Sequence, residues 1–282
     1  MGLCNKVAAS ELSRYELGRT AAMACKVDQR FSYCLYVPKA YSAKDASKFR
    51  LLVALHGTDR GNAAMRDLFA PIAEEFNLIV LAPLFPVGIE EPYETDNYKY
   101  VSFRGIRFDE LLIAMTEEVG ARYGVDTDSI AMFGFSGGAH LSHRFLYLHP
   151  QRLSAVSVCA PGSPTLLDFK RDWWVGVRNT HELFGITVEP EKIAKVAIHL
   201  AVGLEDKDTS EITHSYTSSH WMDGANDAGT TRIDRLRALG ESLAAHHISF
   251  EADYLDGCGH ERDALIEVAS RFFRKTWGQG AI

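Results

Sequence analysis

The sequence predicts an α/β protein: a mostly parallel, eight-stranded sheet flanked by helices. Three observations lead there. Short apolar runs recur along the 282 residues, and most are continuous rather than alternating. Such runs are the mark of strands buried on both faces. Between them lie segments with apolar residues at helical spacing, and alternation of the two patterns is the signature of the class. One strand-like run also breaks into a glycine-rich turn and continues as a helix, in the stretch AMFGFSGGAH at residues 131–140.

The expected strands cover residues 31–37, 51–56, 78–82, 130–133, 155–159, 196–202 and 248–255. Three helices are legible from spacing. Residues 109–123 carry Leu111, Leu112, Met115 and Val119; residues 231–245 carry Ile233, Leu236, Leu239 and Leu243; residues 261–277 carry Leu265, Val268, Phe272 and Phe273. A fourth helix is expected after the glycine-rich turn, at 140–149. Two stretches interrupt the alternation. Residues 88–102 hold four acids between Glu90 and Asp96, and residues 163–190 hold Trp173, Trp174 and Phe184. Loops of that length in a compact domain often act as caps, although a run of acids commonly marks a solvated loop. No repeat, low-complexity segment or linker divides the chain, so one domain over residues 1–282 is expected, with cap insertions at those two places.

Composition removes several function classes. The formal charge of −7 argues against a nucleic-acid partner, which calls for a basic face. The five cysteines are scattered, an odd count with no C-x-x-C pair, unlike a disulfide framework. Cys34 and Cys159 fall in apolar runs, where free cysteine behaves as a small hydrophobe. Residues 1–14 lack a leader's apolar stretch, and Lys6 stands where a myristoylation pattern after Gly2 wants Ser or Thr. No apolar run is long enough to span a membrane. A soluble cytoplasmic protein is expected. Neither H-E-x-x-H nor a cysteine–histidine ligand spacing is present, so neither metal nor cofactor is expected.

The glycine-rich turn places Ser136 between Gly134, Gly137 and Gly138. A nucleophilic serine must stand clear of its sheet, and a tight strand-to-helix turn achieves this at the cost of a strained backbone. The turn crowds the residues two before and two after, which Gly134 and Gly138 answer by lacking a Cβ. The following helix directs its N-terminus at the serine, so the Gly137 N–H is a candidate oxyanion donor. The strand at 51–56 ends in His56-Gly57-Thr58, which offers the Thr58 N–H as second donor and His56 as a holder of loop shape. The strand at 196–202 ends in Gly203-Leu204-Glu205-Asp206-Lys207-Asp208. Glu205, Asp206 and Asp208 compete there as the acid that orients a histidine. The strand at 248–255 ends in Gly257-Cys258-Gly259-His260, which makes His260 the candidate base among eleven histidines. His140 and His143 follow Ser136 too closely to turn back on it easily. Serine, acid and histidine then occur in the order of one known triad arrangement.

These four segments resemble the α/β-hydrolase superfamily over nearly the whole chain. Within it, FSYCLYVPKAY followed by LLVALHGT, and SIAMFGFSGGAHLSHRFLYLHPQRLSAVSVCAPG, are similar to the esterase and polyhydroxyalkanoate-depolymerase-like branch. The resemblance implies the eight-stranded sheet and a serine hydrolase acting on esters, with Ser136, Asp206 and His260 as triad and Thr58 and Gly137 as oxyanion hole. Many depolymerase-type members are secreted and carry a substrate-binding module. This sequence shows neither, which favours a small soluble ester as partner. Peptidase, amidase or thioesterase chemistry with the same triad, and a non-catalytic ligand-binding protein, are the alternatives. Phe135, Trp173, Trp174 and Phe184 are candidates for an apolar acyl or alcohol pocket, and residues 208–232 for a second flap beside Asp206.

Overall fold

In the computed structural model, residues 12–278 are described; Gly2, Cys4 and Lys6 lie outside them. The strands are β1 (Gly18–Arg19), β2 (Met23–Ala24), β3 (Ser32–Val37), β4 (Arg50–Leu55), β5 (Leu78–Leu84), β6 (Ser102–Phe103), β7 (Ile106–Arg107), β8 (Ile130–Phe135), β9 (Leu153–Cys159), β10 (Ala197–Gly203) and β11 (Glu251–Leu255). The helices are α1 (Asn62–Leu68), α2 (Ala70–Phe76), α3 (Phe108–Tyr123), α4 (Gly137–Leu148), α5 (Thr180–Phe184), α6 (Pro190–Ile193), α7 (Arg232–Ala244) and α8 (Arg262–Gly278). Eight strands run in the order β1-β3-β5-β4-β8-β9-β10-β11, and the two-residue β2 pairs beside them with β3. Across this sheet, from β5 through β4, β8, β9 and β10 to β11, every pairing is parallel; β1, β2 and β5 pair antiparallel with β3, and β6 and β7 form a separate antiparallel pair.

The seven expected strands of the sequence are the seven longer strands of this sheet; β4, β8 and β10 are buried along nearly their whole length, whereas β11 at the edge is largely exposed. Strands with no solvent face need no alternation. β1 and β2 escaped notice because two residues cannot carry a pattern. α1 and α2 escaped it because the helical run breaks at Phe69 (φ −86°, ψ −4°), and Pro71 has no N–H to continue the first helix. α7 starts where its sequence says it must: the Thr231 hydroxyl accepts from the Asp234 N–H, and the Asp234 carboxylate accepts from the Thr231 N–H. α2 packs on α8, with the Phe76 and Trp277 rings 5.7 Å apart.

The interruptions at 88–102 and 163–190 are anchored rather than floating. Asn97, Tyr98, Tyr100 and Val101 are buried, so the acidic run is solvated only in part. Glu90 pairs with Arg30 and Glu91 with Arg104. The fully buried Arg144 of α4 ties both segments down, donating to the Lys99 carbonyl, to Thr165 Oγ1 at 2.8 Å and to the Ser163 carbonyl at 2.9 Å. The indoles of Trp173 and Trp174 donate to the carbonyls of Tyr100 and His220, which joins segment 208–232 to the same layer. Cys25, Cys34, Cys159 and Cys258 are free and buried. Among the described residues no helix is long and apolar enough to cross a membrane.

The chain runs from β4 to β5 on one side, then crosses to β8 on the other. The crevice beyond the C-terminal ends of β4 and β8 is therefore a topological switch point, the usual ligand position in such sheets. Two strands further on, the turns after β10 and β11 interlock. Leu204 N–H bonds the Leu255 carbonyl at 2.9 Å and Glu205 N–H the Cys258 carbonyl at 2.8 Å. A Cβ on Gly203 would lie 2.2 Å from the Cys258 oxygen and 2.3 Å from that of Gly259, so no larger residue fits. Gly203→Ala is expected to cost roughly 1–3 kcal/mol, the usual range for overpacking. A control at Gly278, with nothing within 4 Å, should be near neutral. Thermal melts of both variants check this.

Candidate active site

Ser136 joins β8 to α4 with φ +53° and ψ −115°, a conformation that a side chain adopts only under strain. The neighbouring glycines permit it. A Cβ on Gly134 would meet the Gly138 oxygen at 2.3 Å, and one on Gly138 would meet the Leu55 oxygen at 2.5 Å. The second contact brings the elbow against the end of β4, where Leu55 is registered with Gly134. Ser136 N–H is held by the Cys159 carbonyl at 2.9 Å, and its own carbonyl accepts from Ala139 N–H and His140 N–H to open α4. Gly137, as the first residue of that helix, has an N–H outside the helix's own ladder.

The loop after β4 is fixed by His56. Its Nδ1 donates to the Gly57 carbonyl at 2.7 Å, and its Nε2 accepts from Phe85 N–H at 3.1 Å. Tyr98, fully buried, donates its hydroxyl to the His56 carbonyl at 3.0 Å and covers Gly137 so closely that a Cβ there would lie 2.4 Å from the phenol oxygen. Thr58 and Gly137 line the same cavity as Ser136.

Of the three acids after β10, Asp206 meets the histidine. His260 Nδ1 donates to Asp206 Oδ2 at 2.6 Å. Glu205 pairs with Lys207, while Asp208 accepts from Ser210. Asp206 is only 2% exposed, and its second oxygen accepts from Arg232 Nη1 at 3.0 Å. Burial opposes its charge, but the His260 hydrogen bond and the Arg232 cation outweigh burial and hold the carboxyl below its usual range. Because a carboxylate can only accept, the His260 proton sits on Nδ1 and the Nε2 lone pair is free to take another. The His260 ring packs on Phe135, the residue before Ser136, with centroids 4.7 Å apart. Among the described residues no hydrogen bond joins Ser136 Oγ to that ring.

Above Ser136 lies a cavity of about 270 Å³ lined by Thr58, Thr95, Asp96, Lys99, Ser136, Gly137, His140, Gly162, Glu211, Ile212 and Arg232. Of the two insertions, 88–102 lines this cavity and 163–190 does not. Segment 88–102 supplies Asp96 and Lys99, paired with each other at 2.5 Å, and segment 208–232 supplies Glu211, Ile212 and Arg232. Phe135, Trp173, Trp174 and Phe184 do not line it. Trp173 packs edge-on to Phe184, and Trp174 packs against Tyr100 and His214. The cavity is polar where an apolar one was expected. His140 lines it despite its nearness to Ser136 in sequence, with its Nε2 turned away to accept from the N–H groups of Gly162 and Ser163. Glu94, Asp96 and His220 place ligand atoms within 4.8 Å of one another at the cavity's edge, but the cation at Asp96 is the Lys99 ammonium. A wider cavity of about 390 Å³ lies at the other end of α4, around Leu148, His149 and Lys192, and contains none of these groups.

No protein-family model matches the chain, and no curated protein matches it in sequence. Solved structures match nearly end to end. LpqC, a poly(3-hydroxybutyrate) depolymerase from Bordetella parapertussis, is similar at 21% identity over 92% of this chain and 91% of its own, with TM-score 0.72. Poly(aspartic acid) hydrolase-1 from Sphingomonas sp. KT-1 is similar at 19% identity over 86% and 92%, with TM-score 0.67. The siderophore hydrolase EstA from Aspergillus nidulans is similar at 14% identity over 90% and 93%, with TM-score 0.56. At these identities the likeness is one of fold.

The histidines that shape the site are neutral. Burial, partly offset by the bond to Gly57, brings His56 down to about 4. Burial and the Arg144 cation bring His143, whose Nε2 accepts from Thr165 N–H, down to about 3. Exposed by unfolding, both rings take up protons below about 6.5. The unfolded state then binds more protons, so stability falls as pH drops from about 6.5 to about 4, by about 1.4 kcal/mol per pH unit for each ring. His143→Gln is expected to flatten that slope by one ring's worth, as read from urea unfolding across the window.

Proposed function

We propose that this chain, which has the α/β-hydrolase fold, hydrolyses a carboxylic ester of a small substrate through an acyl-enzyme on Ser136. The observation that carries the proposal is the 2.6 Å bond between His260 Nδ1 and Asp206, on a ring packed against the residue next to Ser136. Ser136 Oγ attacks the ester carbonyl carbon and passes its proton to His260 Nε2. The imidazolium is stabilised by Asp206, whose charge Arg232 keeps in place against its burial. The carbonyl oxygen, now negative, is received by the N–H groups of Gly137 and Thr58, where the N-terminal dipole of α4 adds its field. Collapse of the tetrahedral adduct breaks the bond to the alkoxy oxygen, which leaves with the proton from His260. Water then repeats the sequence on the acyl-enzyme, giving its proton to His260 and releasing the acid and Ser136.

The cavity volume supports a small substrate, and the similarity to proteins described as a depolymerase and as hydrolases supports the hydrolytic reaction. The bond from Ser136 Oγ to His260 Nε2 forms as the carbonyl binds, since catalytic hydrogen bonds often tighten only in the substrate complex. Ser136→Ala is expected to keep the wild-type melting temperature, to lose turnover of p-nitrophenyl butyrate, and to resist a fluorophosphonate probe that labels the wild type once. Asp206→Asn should lower kcat by roughly 10³–10⁴, because an amide can hold the ring in the wrong tautomer. Labelling of Ser136→Ala, followed by intact mass, or undiminished turnover in either variant, would overturn the assignment.

A further inference from the structure

Gly137, whose N–H receives the oxyanion in the ester-hydrolase reading, is enclosed by three side chains. A Cβ there would lie 2.4 Å from the Tyr98 hydroxyl oxygen, 3.0 Å from Lys99 Cε and 3.2 Å from Thr58 Oγ1. Tyr98 props the loop after β4, and Thr58 belongs to that loop. Lys99 has no role so far. Its ammonium nitrogen is one bond, about 1.5 Å, beyond the carbon that crowds Gly137. Lys99, Gly137, Thr58 and Ser136 all line one cavity.

That placement works against folding. α4 directs the positive end of its dipole at Gly137, where an acid is stabilised and a cation is repelled. Lys99 is nonetheless pinned there. Its carbonyl accepts from Arg144 of α4 itself, its N–H bonds the Asp96 carbonyl at 2.9 Å, and its Nζ bonds Asp96 Oδ1 at 2.5 Å. The side chain is only 12% exposed. Burial opposes the charge of Asp96, but the Lys99 cation leads the effects that outweigh burial, so the carboxyl stays below its usual range and the pair is ionised. An ammonium has three N–H donors. Asp96 is the one hydrogen-bond partner of Lys99 Nζ among the described residues, so two donors remain. A cation fixed beside a positive helix end is repulsive while the site is empty and satisfied once negative charge develops there, which is the electrostatics of an oxyanion site.

We propose that Lys99 is a third member of the oxyanion site, its ammonium stabilising the charge that develops on the carbonyl oxygen as Ser136 Oγ adds to the carbonyl carbon. This rests on the ester-hydrolase reading above and deepens it. Asp96 is then a positioning residue, which holds the ammonium in place before substrate arrives. A neutral ester gains little from the cation and the tetrahedral adduct gains most, so the effect falls on kcat rather than on KM.

The test sets p-nitrophenyl butyrate beside 1,1,1-trifluoropentan-2-one, a ketone with the same propyl group. Ser136 Oγ adds to the ketone carbon, its proton passes to His260 Nε2, and the ketone oxygen keeps the negative charge, so the inhibitor holds the site in its tetrahedral state. Lys99→Met removes the charge at similar length. It is expected to lower kcat about 10²-fold, the range of one oxyanion donor, to leave KM unchanged, and to weaken inhibition by the ketone by the factor that kcat loses. Lys99→Arg keeps the charge and should restore most of both. Because Lys99→Met leaves Asp96 without its cation, Lys99→Met/Asp96→Asn, in which neither charge remains, is measured beside it and should show the same two losses. Unchanged kcat and ketone affinity in the two Met variants, a loss that falls on KM, or a loss that Lys99→Arg shares in full overturns the role of Lys99 and leaves the hydrolase reading standing. A wild type that neither turns over the ester nor binds the ketone overturns both.

Discussion

The buried carboxylate of Asp206 is the constraint around which the site is built. A carboxylate taken out of water must be paired or lose its charge. This one is paired twice, with His260 on one oxygen and Arg232 on the other. Three distant segments therefore meet at a single group: the turn after β10, the start of α7 and the turn after β11. Each is fixed locally before it arrives. Gly203 lets the β10 and β11 turns lie backbone against backbone, the Thr231 cap starts α7 with Arg232 as its first residue, and Gly257, at φ +66°, bends the chain toward His260. Removing the Arg232 cation would leave a buried charge half-satisfied, a loss of about 3–5 kcal/mol. The geometry that orients the imidazole is thus also a strut of the fold.

The same logic separates what was legible in the sequence from what was not. The longer strands could be read because burial on both faces leaves a local trace, a run without polar interruptions. The elbow at Ser136 could be read because the steric demand of the turn falls on its own neighbours, and Gly134 and Gly138 are only two residues away. The order of acid and histidine followed from strand ends and their glycines. None of these needs knowledge of what lies across the molecule. Arg232 does: in the chain it is one arginine on an amphipathic helix, and only the meeting of α7 with the β10 turn gives it Asp206. Lys99 and Tyr98 were hidden the same way, inside a segment whose acids suggested solvent. Buried Tyr98 over Gly137 and Arg144 through its three donors pull that segment onto the site.

The aromatic residues carried the opposite lesson. Trp173, Trp174 and Phe184 announce burial, and burial is what they have, but hydrophobicity does not distinguish packing from lining. These rings brace the layer that covers the site: Trp173 packs edge-on to Phe184, and Trp174 packs at a tilt against Tyr100 and His214. The surface facing Ser136 is left to shorter and charged side chains. Bulk in the second layer and polarity in the first is a sensible division. Large rings fix the position of a wall cheaply, since a few torsions order much area, and polar groups held against such a wall stay aimed without a partner of their own.

That last property bears on where this fold spends its stability. An unmatched buried donor costs about 1–3 kcal/mol, and a side chain held at positive φ costs a similar amount, against a net stability of only about 5–15 kcal/mol for a typical domain. Such costs are tolerated where something other than folding requires them. The positive φ values are spread over nine non-glycine positions among the described residues, but the unmatched atoms gather near one of them, Ser136. Ser136 is strained, His140 and Arg232 each hold one unmatched atom, and all three residues line one cavity; the third residue with an unmatched atom, His220, has a ring nitrogen within 4.8 Å of an oxygen of Asp96, which lines the same cavity. A glycine-rich turn that served only to connect β8 to α4 would carry the strain without the donors, and a polar cavity that served only to hold water would carry the donors without the strain. At Ser136 the strain and the unmatched polar atoms fall together, among residues that line one cavity.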